Sequence, residues 1–134
     1  MILERIGEHI HRLHIKDTHA FHPGGTNIYF VGDAADEMVL VDTGEQDKEW
    51  VSLILEAYRD LGEPRITAIL ITHGHTDHIG GLDRIHEVVK APVRCHPKLV
   101  EKLVPYLGQE WVVTGCSRTA KIRPAQGLLI RCNK

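Results

Sequence analysis

The last 24 residues of this 134-residue chain contain no acidic side chain. Histidine stops at His96 and aspartate stops earlier, at Asp83. Residues 1–110 carry 11 Lys and Arg against 18 Asp and Glu, a net of −7, whereas residues 111–134 carry five cations and a net of +5. Such asymmetry can mark a basic tail for nucleic acid or membrane. Five scattered cations with one nearby aromatic, Trp111, make a poor nucleic-acid surface, however. Aromatics make up only 5% of the chain, so the core is expected to be aliphatic. No apolar run approaches the length of a membrane span. The start, MILERIGEHI, carries acids and lacks an apolar h-region, unlike a signal peptide. The three cysteines, Cys95, Cys116 and Cys132, are odd in number and lack CxxC spacing. They argue against a disulfide framework and for a reducing compartment, by default the cytoplasm.

The rest reads as an ordinary soluble α/β (α+β) domain, with 43% apolar and 25% charged residues. IHRLHI (10–15) alternates as a half-buried strand does. HPGGT (22–26) is turn chemistry. NIYFVG (27–32), DAADE (33–37) and MVLVD (38–42) predict a strand, a turn and a more buried strand, together a hairpin. Asp47 is a candidate N-cap. Trp50, Ile54, Ala57, Tyr58 and Leu61 then recur at helical spacing, and Gly62 and Pro64 stop that helix. ITAILIT (66–72) is a continuous, β-branched apolar run, as expected of a buried central strand. Gly81 to Lys90 is expected to be helical, with His86 exposed. APVRCH (91–96) is a short strand. PKLVEKLVPYL (97–107) starts a helix whose end Pro105 limits. WVV and GLLI are further candidate strands beyond Gly108.

The densest chemistry follows the central strand. THGHTDHIGG (72–81) places His73, His75, Asp77 and His78 within six residues. Two residues apart in extended backbone point the same way, so His73 and His75 can converge on one cation. Asp77 and His78 follow as the chain turns and are offset toward a second. Neutral imidazole with carboxylate suits Zn, Fe or Mn. Gly74 leaves room beside the ligands, and Gly80 and Gly81 permit a tight turn. Against this stands the plainer reading of solvated loop histidines in a chain that holds ten. His9, His11, His14 and His19 are read as solvated. His96 is read as a strand-end residue and Cys95 as a small buried apolar one.

THGHTDHIGG resembles the H-x-H-x-D-H signature of the metallo-β-lactamase-fold hydrolases, including the glyoxalase II-like and β-lactamase-like 2 branches. GGTNIYFVG is similar to that family's early hairpin. MVLVDTG is similar to the strand that ends in its upstream aspartate, here Asp42. APVRCHPKLVEKL is similar to the strand and helix after the signature. The resemblance covers about residues 20–107. It implies the N-terminal half of a four-layer αββα sandwich. It implies zinc, up to two ions, with manganese or iron as alternatives. His73 and His75 would hold the first ion, and Asp77 and His78 the second. Asp42 would orient the site from behind, and Asp77 would also act catalytically. His22 and Asn27 become candidates for the substrate pocket. The implied activity is metal-dependent hydrolysis: a cation lowers the pKa of its water from ~15.7 to about 7. The hydroxide then attacks an ester, thioester, lactam or phosphodiester of a small-molecule or phosphodiester substrate.

The family's remaining ligands are a third histidine, a bridging aspartate and a last histidine. All three lie in the second half of a markedly longer chain, and nothing after His96 supplies them here. The expectation is therefore a partial domain over 1–110 that is inactive alone. A divergent basic tail over 111–134 would then reflect truncation or a shifted reading frame. Its exposed sheet would self-associate or meet a complementary half. The alternatives are a non-catalytic metal-binding or interaction module, with Cys116 and Cys132 as substitute ligands, and an RNA-processing branch of the same fold.

Overall fold

The computed structural model describes residues 3–16, 24–108 and 111–114. They form a single seven-stranded sheet in which neighbours follow chain order. β1 (Leu3–Gly7), β2 (Ile10–Ile15), β3 (Thr26–Gly32) and β4 (Glu37–Val41) pair antiparallel. β5 (Arg65–Leu70), β6 (Val93–Cys95) and β7 (Val112–Thr114) then add on in parallel. Four helices fill the crossovers: α1 (Lys48–Asp60), α2 (Thr76–Ile79), α3 (Leu82–Val89) and α4 (Val100–Leu107). A 3-10 turn at Pro97–Leu99 leads into α4.

Parallel neighbours need long crossovers, and these are right-handed almost without exception. Because β4 to β7 advance in one direction, the three crossovers fall on one face of the sheet. α1 accordingly packs on α3, and α3 on α4. The described residues thus build one sheet and one helix layer, two of the four layers expected.

Local sequence explains most elements. In β3, Thr26, Ile28 and Phe30 are buried while Asn27, Tyr29 and Val31 are half-buried, the two-residue alternation of a strand covered on one side. β5 is buried continuously from Ile66 to Ile69, as a central parallel strand should be. α1 turns Trp50, Val51, Ile54 and Ala57 inward. Leu13, Ile28, Phe30, Leu40, Ile54, Ile69, Ile79, Leu82 and Ile85 form the centre of the core, each essentially inaccessible. Burial of each such side chain stabilises by about 1.5–3 kcal/mol.

Several details differ from expectation. Asp47 stands at the N-cap of α1, but its side chain makes no capping hydrogen bond. α4 runs through Pro105 to Leu107, so the proline does not limit the helix. LERIG forms β1, an edge strand whose three central residues are exposed; it lacks the buried face that would have marked it. WVV falls on β7, whereas GLLI lies outside the described residues. His86 is buried rather than exposed.

Parallel pairing is what positions the site. Val41 and Leu70 are register partners at the carboxyl ends of β4 and β5. The residues that follow, Asp42 and Ile71 to Thr72, therefore leave the sheet side by side. Ligands in open parallel sheets gather beyond such ends.

Candidate metal centre

At the end of β4 the chain reverses sharply. Asp42 adopts φ 67°, a left-handed conformation that aspartate tolerates better than most residues. Its amide donates to the Leu70 carbonyl at 2.8 Å, which ties the two strand ends together. Its carboxylate is then turned into the loop after β5 and is only 3% exposed. Oδ1 accepts the Thr72 amide at 2.8 Å. Oδ2 accepts the Thr72 hydroxyl at 2.7 Å and His78 Nδ1 at 2.7 Å. A buried carboxylate with three donors is fully satisfied and strongly oriented.

The loop itself is held from several sides. Thr43 donates through both its amide and its hydroxyl to the His78 carbonyl, at 2.9 and 3.0 Å. His75 opens the single turn of α2, and the amides of His78 and Ile79 both return to its carbonyl. Ile79 is wholly buried and anchors that turn in the core. Lys102 of α4 donates to the Gly74 carbonyl at 2.6 Å. A Cβ on Gly80 would lie 2.6 Å from the Gln46 amide nitrogen, and one on Gly81 would lie 2.4 Å from the Thr43 carbonyl oxygen. Close backbone approach between the two loops therefore explains both glycines.

The result is a compact group of rings. The His73 and His78 centroids are 4.0 Å apart, and those of His73 and His75 are 4.6 Å apart. The sequence split the four residues into a first and a second pair; in space, His78 sits nearer His73 than His75 does. Asp77 is buried, and its Oδ2 accepts the Thr26 hydroxyl at 2.6 Å while lying 3.3 Å from His78 Nε2.

The electrostatics separate two of the rings. Burial pulls the His73 pKa down, and the neighbouring His78 and His75 add to that. Burial also pulls on His78, but the hydrogen bond and charge of Asp42, with the charge of Asp77, outweigh it and raise its pKa. In the metal-free chain His78 is thus drawn toward an imidazolium between two carboxylates. A cation placed beside Nε2 would replace that proton.

The donor chemistry fits a divalent cation such as zinc. Imidazoles whose Nδ1 is engaged behind present Nε2 in front, with a carboxylate alongside. The fit is one of donor type and orientation only. Among the described residues no group of three or more His, Cys, Asp or Glu side chains is arranged to hold a metal ion.

The other expected residues fall elsewhere. Asn27 follows Thr26 in β3, so strand alternation turns it to the opposite face, where its Oδ1 accepts His14 Nδ1 at 2.8 Å. It is Thr26, not Asn27, that reaches the cluster. His22, Cys116 and Cys132 lie outside the described residues. His96 accepts the Lys98 amide at 3.1 Å and caps the 3-10 turn. Thr26 and Thr72 were missed as contributors to the site. Thr72 stood inside the quoted motif, but hydroxyls carry no signal until their partners are known.

Residues 22–124 match the family model of the metallo-beta-lactamase superfamily. An atrochrysone carboxyl ACP thioesterase from Pseudocercospora fijiensis is 34% identical over 110 residues, covering 80% of this chain and 29% of that protein. A beta-lactamase-like protein 2 homolog from Caenorhabditis elegans is 33% identical over 88 residues, covering 65% of this chain and 29% of that protein. The chain spans about a third of the length of the curated relatives it matches. Among solved structures, a metallo-beta-lactamase from Hirschia baltica superimposes with a TM-score of 0.62 at 22% identity, covering 86% of this chain and 52% of that one.

Proposed function

Because the chain belongs to the metallo-beta-lactamase superfamily, we propose that it carries part of the metal centre of a hydrolase and that the bond cleaved is a thioester. The carboxylate of Asp42, bound at once to His78 and to Thr72 beside His73, is the observation that carries the metal reading. A carboxylate set behind imidazole in this way fixes the ring and raises its basicity as a ligand. A solvated loop histidine would have no reason to engage a buried carboxylate as His78 does. The thioester is favoured over other ester, lactam or phosphodiester substrates because relatives at 34% and 28% identity are named thioesterases.

In this reading His73 and His75 would contribute to one zinc and Asp77 and His78 to a second. Each ion would need further ligands, because among the described residues no three such side chains are arranged to hold a metal ion. A zinc ion held there would supply an acidified water and polarise a carbonyl oxygen. The Asp77 carboxylate would orient that water as a hydrogen-bond acceptor. Thr26 keeps Asp77 from swinging out. A second reading, a metal-binding module without turnover, draws on the incomplete shell among the described residues.

Zinc content after dialysis and thiol release from a simple acyl thioester test both readings. Zinc should be retained by the unaltered chain and lost in H73A and H78A. Because the chain carries only part of the centre, retention without thiol release does not separate the module from the hydrolase, and thiol release that D77A abolishes decides for the hydrolase. Zinc retained unchanged in the double variant H73A/H78A refutes both.

A further inference from the structure

We propose that Thr72 is a positioning residue that sets the tautomer of His73, so that one carboxylate, Asp42, holds the Nδ1 side of two neighbouring imidazoles, one directly and one through a hydroxyl. The inference rests on the metal reading for its purpose, but not for its geometry.

The argument is a count of protons. The Thr72 hydroxyl has one hydrogen and two lone-pair sites. It lies 2.7 Å from Asp42 Oδ2 and 2.9 Å from His73 Nδ1. A carboxylate only accepts, so the hydroxyl hydrogen goes to Asp42. The contact with His73 then needs a hydrogen from the ring. His73 must carry its proton on Nδ1, which leaves the lone pair on Nε2. The same oxygen, Asp42 Oδ2, takes the Nδ1 proton of His78 directly at 2.7 Å. Both rings are thus turned with Nε2 away from Asp42, one held directly and one through a hydroxyl. Their centroids are 4.0 Å apart. The Thr72 amide is fixed to Asp42 Oδ1 at 2.8 Å, so the relay cannot drift from its acceptor.

A purely structural role for Thr72 would satisfy Asp42 and leave His73 indifferent. The two roles separate in the ring nitrogens. Nitrogen-15 spectra of the metal-free chain in mildly alkaline buffer report which nitrogen of His73 bears hydrogen. The unaltered chain should show Nδ1–H and an unprotonated Nε2. T72S keeps the hydroxyl and should keep that signature. T72V keeps the shape, loses the hydroxyl and should move the proton to Nε2, the form an unheld imidazole prefers. Zinc affinity should fall about 10–100-fold in T72V and recover in T72S. Nε2–H on His73 in the unaltered chain overturns the proposal even if T72V fails to fold. So does a folded T72V with the tautomer unchanged. A chain that shows the Nδ1–H signature but takes up no zinc sinks the metal reading and leaves this one standing.

Discussion

Two groups of histidines lie in different parts of the chain. His9, His11 and His14 sit on or beside β2, and His73, His75 and His78 sit in the loop after β5. The residue types are identical and the spacing is similar. Yet the β2 group is scattered. His9 stands in the turn with its side chain 62% exposed, nearest to Glu8 at 3.9 Å. His11 and His14 are three apart on a strand, so they point to opposite faces. His14 has an engaged Nδ1 too, but its partner is Asn27, and among the described residues no second ring converges on it. The loop group differs in what stands behind it: two parallel strand ends, a reversed aspartate and a shared acceptor. A metal site is made by the shell that orders the rings, not by the number of rings.

The largest test of that contrast removes the shared acceptor. D42A strands three donors, among them the Nδ1 of a ring whose pKa is raised. Loss of one partner from a buried, charge-assisted set costs about 3–5 kcal/mol. H14A removes one partly buried hydrogen bond and should cost about 0.5–1.5 kcal/mol. Urea unfolding measures both. D42A should also abolish zinc retention, whereas H14A should leave it unchanged. Equal destabilisation of the two would mean that Asp42 does not organise the loop.

A smaller effect follows from the glycines. In G81A the new Cβ would meet the Thr43 carbonyl oxygen at 2.4 Å, so the loop after β4 must separate from the start of α3. Overpacking of this kind costs about 1–3 kcal/mol. It should also move His78, whose carbonyl is bound by Thr43, and weaken zinc binding. Gly62 at the far end of α1 has nothing within 4 Å of its Cβ position but adopts φ 88°. G62A should therefore cost about 1–2 kcal/mol through backbone strain alone. Stability falls in both variants, but zinc affinity should fall only in G81A. A normal zinc affinity in G81A would show that the two loops are not coupled.

The elements were legible where one principle acted alone. The alternation of β2 and β3, the continuous run of β5 and the apolar stripe of α1 each placed an element to within about two residues. The motif placed the loop. What escaped depended on tertiary partners. Thr26 lies 51 residues before Asp77 in sequence, yet donates to it in space. Nothing local distinguishes it from Asn27, the neighbour chosen instead. β1 escaped because an exposed edge strand has no buried face to write a pattern. His86 could have been found. Leu82, Ile85 and Val89 define the inner stripe of α3, and position 86 falls within it at i+4 from Leu82. Its partner, Trp111, lies just past the point where the acidic residues end, a point the sequence took as a boundary.

His86 supplies the smallest test, and it contrasts a buried lone histidine with the cluster. It is 8% exposed and meets the Trp111 ring edge-on, with centroids 4.4 Å apart. Burial lowers its pKa, and the charge of Lys90 lowers it further. The unfolded chain has the ordinary histidine value of about 6.5. Above that value both states are neutral, and the stability associated with the buried ring is fully present. As pH falls below it, the unfolded chain takes up a proton that the folded chain refuses, so stability declines until the lower folded value is reached. His73 has the same sign and His78 the opposite one, but both are common to the unaltered chain and H86Q. The difference in unfolding free energy between these two isolates His86. The margin by which the unaltered chain exceeds H86Q should shrink as pH is lowered from about 6.5. A margin that grows on acidification would mean that the folded state accepts the proton. Trp111 and β7 would then not enclose this ring in solution.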